Sequence, residues 1–162
     1  MDILDQAIEF EYMGQKFYKE KAEAAQHQGV KTILMGLAED EFNHAKFLEG
    51  MKAGTAKEFP ASATMPKVKN VIETSGLSDP RFMANEPGLI DVLNEALKIE
   101  ERAKAHYTQE ALATQSEENR KLLEQIAKEE QRHYDLISSL IKYIDAPKNI
   151  LEDPEFTYYE ED

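Results

Sequence analysis

The sequence predicts an all-α fold, an antiparallel four-helix bundle made of two repeated helical hairpins joined by a long crossover. Three observations carry this expectation. Apolar residues recur at spacings of three and four through four long stretches, the period of an amphipathic helix. Short turn signals join those stretches in pairs, which makes each pair an antiparallel hairpin. The second half of the chain also repeats the first at an offset of 89 positions.

The four stretches cover roughly residues 2–26, 30–53, 87–113 and 117–144. The first two meet at Gln26-His27-Gln28-Gly29, where Gly29 is expected to end a helix, because glycine tolerates the backbone of a helix C-terminus. Residues 55–86 differ in composition, with Pro60, Pro66 and Pro80 inside and Pro87 just beyond. That length is a crossover, not a turn, and Met65, Val68, Val71 and Ile72 predict one short helix within it. The last two stretches meet at Thr114-Gln115-Ser116, where Thr114 and Glu117 have the spacing of a capping box. Asp145-Ala146-Pro147 stops the fourth helix. One domain of residues 1–144 is expected, followed by a tail of residues 145–162 that is either disordered or docked through Phe156, Tyr158 and Tyr159.

At the offset of 89, Asp2, Leu4, Ala7, Glu11, Tyr18, Ala22, Ala24, Gln26, Leu34, Ala38, Glu41 and His44 meet identical residues, the last pair being His44 and His133. Twelve identities in 43 ungapped positions exceed what composition supplies, so the hairpins read as a duplication.

Composition removes several classes of function. The 162 residues contain no cysteine, which excludes disulfides, thiol nucleophiles and any iron-sulfur or rubredoxin-type centre within them. A net charge of −13 opposes binding to nucleic acid or to an anionic membrane. Acidic residues stand near Met1 where a secretory signal carries basic ones, and no apolar run reaches spanning length, so a cytoplasmic protein is expected.

Polar residues interrupt the apolar seams at matching heights. Val30, Leu34, Leu37, Glu41, His44, Leu48 and Met51 form one seam, and Leu123, Ile126, Glu130, His133, Ile137, Leu140 and Ile144 another. The seams of the first and third helices carry Glu11 and Glu100. The midpoint of Glu11 and Glu41 is residue 26 and that of Glu100 and Glu130 is residue 115, both in or beside the turns, so all six side chains can converge in one layer. Four buried carboxylates repel one another and lose hydration, and two divalent cations neutralise them with matching charge. Oxygen-rich donors with one imidazole per metal suit iron or manganese, and zinc is not excluded. The bland alternative is an ion-paired core.

Glu9, Glu39, Glu101 and Glu129 lie off the seams and are expected at the surface. Tyr18 and Tyr107, about two turns beyond Glu11 and Glu100, are candidates to hydrogen-bond the ligand carboxylates, or are ordinary core residues. Gly14 and Ala103 are read as small residues for close helix packing, His106 as structural and His27 as exposed.

The pattern Glu11, Glu41-x-x-His44, Glu100, Glu130-x-x-His133 resembles the di-iron carboxylate motif of the ferritin-like superfamily. The runs Ala7-Ile-Glu-Phe-Glu11-Tyr-Met-Gly14-Gln-Lys-Phe17-Tyr18 and Leu37-Ala-Glu-Asp-Glu41-Phe-Asn-His44 look most like its rubrerythrin branch. The resemblance covers both hairpins and leaves out the crossover and the tail. It implies a ferritin-like bundle in which Glu41 and Glu130 bridge two iron ions, Glu11 and Glu100 are terminal ligands, and each histidine binds one ion. It further implies a homodimeric oxidoreductase that reduces hydrogen peroxide, or dioxygen, with electrons from an external donor, since the rubredoxin domain of full-length members has no counterpart here. Those members also carry a Glu three residues after the third-helix ligand, where this chain has Ala103, so ligand exchange at that position does not carry over. A ferroxidase or iron-handling role, and a non-enzymatic helical module with a relic site, are the alternatives.

Overall fold

The amphipathic stretches form five helices in the computed structural model, which describes residues 2–56, 58–74 and 86–145. The first hairpin consists of α1 (Ile3–Ala24) and α2 (Gln28–Ala53), and the second of α4 (Leu89–Ala113) and α5 (Glu117–Asp145). The short helix of the crossover is α3 (Met65–Thr74). No strand occurs among the described residues. No helix among them is long and apolar enough to cross a membrane. The expected tail lies outside the described residues apart from Asp145, which ends α5.

Local signals set the helix ends, in two places differently from expectation. Gly29 lies inside the first turn of α2, because His27 caps that helix by accepting the Gly29 amide on Nδ1 at 3.1 Å. That contact leaves His27 half-buried. At the second turn the cap is Ser116, not Thr114: Ser116 Oγ accepts from the Asn119 amide at 3.2 Å, and Thr114 Oγ1 accepts from the Ser116 amide. The Arg120 guanidinium closes the same turn by donating to the carbonyls of Ala111 and Thr114. Gly54 ends α2 in the left-handed region, at φ 72°, which frees the chain to leave the bundle as the crossover.

Packing arranges the hairpins with their turns at opposite ends. One apolar cluster joins Tyr18, Val30, Leu34 and Leu37 beside the first turn to Leu93, Ala96, Ile137 and Leu140 of the second hairpin, and Val68 and Ile72 of α3 close it. The other joins Ala7, Phe47 and Leu48 to Ala103, Ala111, Leu123 and Ile126 beside the second turn. A fully buried leucine such as Leu37 or Leu48 contributes roughly 1.5–3 kcal/mol. Because α2 ends and α4 begins at opposite ends of the bundle, a crossover must run its length. A carboxylate of the crossover ties its far end down, as Glu86 accepts from the backbone amide of His27. Between the two clusters lies a layer of buried polar side chains.

Candidate metal centre

Each of the four long helices brings a carboxylate into that layer because its apolar seam must face the core. Glu11, Glu100 and Glu130 have no exposed surface, Glu41 and His44 are 2% exposed, and His133 is fully buried. The structure therefore brings together all six residues that the spacing singled out. They form two four-residue groups, Glu11, Glu41, His44 and Glu130 on one side and Glu41, Glu100, Glu130 and His133 on the other, with ligand atoms within 4.8 Å of one another in each. Glu41 and Glu130 belong to both groups. The imidazoles stack 5.8 Å apart with Nδ1 turned toward the carboxylates, His44 at 3.0 Å from Glu130 Oε1 and His133 at 3.3 Å from Glu41 Oε1.

The donor set fits a pair of cations. Glu11 Oε2, Glu41 Oε1, Glu100 Oε2, both oxygens of Glu130 and Nδ1 of each histidine are buried without a hydrogen-bond partner among the described residues. The short nitrogen–oxygen distances thus lack the alignment of hydrogen bonds. Orphaned acceptors in such number are costly unless something outside the chain satisfies them. Electrostatics agree with this. Burial and then the neighbouring Glu11 charge push Glu41 and Glu130 well above the usual carboxylate range. Burial alone would depress His133, but the charge of Glu100 and the hydrogen bond to Asp40 raise it well above the ordinary imidazole value. Burial likewise opposes protonation of His44, and Glu11 and Glu41 together outweigh it. The metal-free centre is thus under strain that positive charge relieves.

Tyr18 and Tyr107 are fully buried and reach across the bundle in a reciprocal pair. The Tyr18 hydroxyl donates to Glu100, and the Tyr107 hydroxyl donates to Glu11. Burial and the nearby carboxylates hold both phenols well above their ordinary range, so both remain donors.

Two expectations are corrected at this layer. Gly14 does more than permit helix packing, because a Cβ there would lie 2.7 Å from Glu41 Oε2; its missing side chain makes room for the Glu41 carboxylate. Glu129 is not at the surface. It is 7% exposed and accepts from Arg132 Nη1 at 2.9 Å. His106 is half-buried, with its ring edge-on to Tyr107.

One functional residue escaped the sequence reading. Asp40, off the seam and next to Glu41, is 2% exposed. It accepts from Ser62 Oγ and Thr64 Oγ1 at 2.8 Å each, and from the Ala63 amide. Its Oδ2 also lies 3.1 Å from His133 Nε2. Burial would raise its pKa, but these hydrogen bonds, led by that of His133, hold it at about 2. The crossover can press this close because a Cβ at Gly36 would stand 2.9 Å from Thr64 Oγ1. The available signal was the repeat, which places an acid, Asp40 or Glu129, before Glu41 and Glu130.

With this geometry in hand, comparison with known families is decisive. The rubrerythrin family model matches residues 2–141, nearly the whole of the two hairpins and the crossover between them. The chain belongs to the rubrerythrin family. No curated protein and no solved structure matches it. As in other members of this family, the fold is an all-α ferritin-like bundle, and its buried Glu/His layer is a centre able to hold metal.

Proposed function

We propose that this rubrerythrin-family chain is a di-iron oxidoreductase that reduces hydrogen peroxide to water, with dioxygen the lesser oxidant, using electrons from a separate rubredoxin-like donor. The carrying observation is the pair of ligand groups that share Glu41 and Glu130. In this reading Glu41 and Glu130 would bridge the ions, Glu11 and Glu100 would be terminal ligands, and His44 and His133 would bind one ion each through Nδ1. Two ferrous ions held there would supply the two electrons that, with two protons, convert one H2O2 into two H2O. Manganese or zinc would fit the same donors, but zinc would bring no redox chemistry.

The chain's own residues set the conditions for that chemistry. The apolar clusters on either side of the layer keep bulk water out, which strengthens each electrostatic contact within it. Tyr18 and Tyr107 hold Glu100 and Glu11 in one orientation and keep a proton at each hydroxyl beside them. Gly14 leaves the Glu41 carboxylate its room.

The test is rapid mixing of the ferrous protein with peroxide and, separately, with dioxygen. Oxidation by peroxide should be at least about tenfold faster, a difference of about 1.4 kcal/mol in barrier. Equal rates would overturn the preference for peroxide. Ala103 favours one second reading, since it is buried and offers no further carboxylate beside Glu100: the centre could instead oxidise iron(II) for sequestration. That reading requires a hollow multimeric shell, whereas the proposed cytoplasmic peroxidase is a homodimer, and light scattering separates the two.

A further inference from the structure

The duplicated halves give the centre near-symmetric ligands, but the crossover meets His44 directly and reaches His133 through Asp40. Behind His133 stands a carboxylate. Asp40 Oδ2 faces its Nε2 at 3.1 Å, and three donors of the crossover, from Ser62, Ala63 and Thr64, fix that carboxylate in place. Beside His44 lies an aromatic ring. Phe59 lies 5.4 Å from it, braced edge-on against Phe47 at 5.3 Å. The repeat partner of Asp40 is Glu129, whose bond is to Arg132, and no carboxylate meets Nε2 of His44 among the described residues.

A carboxylate behind a ligating imidazole does two things. It fixes the tautomer, so that Nε2 carries the proton and Nδ1 offers its lone pair, and it makes that lone pair more basic. A hydrocarbon ring does neither. We infer that the two metal positions are unequal, and that the one served by His133 fills first because the crossover holds Asp40 behind it. Asp40 is thus a positioning residue, and the crossover is part of the metal site without supplying a ligand. This rests on the di-metal reading above.

Cobalt(II) added to metal-free protein, followed by its visible ligand-field absorption and by calorimetry, should bind in two steps separated by about 10–100-fold in affinity. A crystal prepared with one equivalent of cobalt should show its anomalous signal between His133, Glu41, Glu100 and Glu130. Asp40→Asn places an amide against donors and should weaken the first step by about 10–100-fold while sparing the second. Thr64→Val removes one of the three crossover donors and should weaken the same step less. Two equal steps in the unaltered protein, or a first signal beside His44, would overturn the inference, and the crystal decides even if Asp40→Asn does not fold. Failure to bind cobalt at all would instead defeat the di-metal reading itself.

Discussion

The two hairpins present the same Glu, Glu and His side chains to one layer, yet they differ in much of what stands around them. Tyr18 and Tyr107 preserve the symmetry, reaching Glu100 and Glu11 of the opposite hairpin. Gly14 and Ala103 relax it, and Asp40 and Glu129 break it. The comparison teaches that duplication supplied the ligand layer, while later divergence, above all the crossover packed on one hairpin, set its surroundings.

The largest effect should come from the residues common to both ligand groups. Glu41→Ala or Glu130→Ala removes a donor from both positions, so metal content should fall from two ions per chain to well below one by elemental analysis. Glu11→Ala or Glu100→Ala touches one group and should leave about one ion. Equal loss from all four would break the division into bridging and terminal roles.

Metal removal should rank next. With metal a thousandfold above its dissociation constant, the loaded protein gains about 4 kcal/mol, or roughly 10 °C in Tm. The gap depends on pH with a definite sign. In the metal-free protein Glu41, Glu130, His44 and His133 all have raised pKa values. Such groups add stability that is complete below their unfolded values and lost as pH rises through the folded ones. Glu100 is shifted down, because the charge of His133 and the hydrogen bonds from His133, Glu130 and Tyr18 together outweigh its burial, so its contribution is lost only on acidification. From about pH 5 to pH 8 the metal-free Tm should therefore fall and the gap to the loaded protein widen, by calorimetry.

A smaller effect separates Gly14 from Ala103. Gly14→Ala suits a helix and should leave the fold as stable or up to about 1 kcal/mol more so, yet it drives a methyl into the Glu41 carboxylate and should reduce metal affinity. Ala103→Gly should cost about 1 kcal/mol in stability and leave metal content unchanged. Tyr18→Phe and Tyr107→Phe each remove one hydrogen bond to a carboxylate, worth about 1.5–3 kcal/mol, and the two should change metal affinity by similar amounts. Unequal effects would show that the asymmetry reaches the tyrosines too.

The helices and their inward faces were legible because burial enforces a period, and Glu11, Glu41, Glu100 and Glu130 stand out as charges where that period demands hydrocarbon. The duplication made the signal stronger by writing it twice. Asp40 was hidden because it lies off the seam, and its burial comes from the crossover, which has no periodic signature. Glu129 was hidden for the related reason that residues flanking a seam can still be covered by a neighbouring helix. The turn ends were missed by one or two residues, since Ser116 and Thr114 are both able to cap and only the backbone path decides between them.

The most direct measurement is a metal-resolved crystal structure of protein purified without chelator. Two ions about 3.5–4 Å apart, with the carboxylates of Glu41 and Glu130 between them and one imidazole on each, are the expected result. A layer holding only side chains and water, or Glu41 and Glu130 turned away from each other, would contradict it.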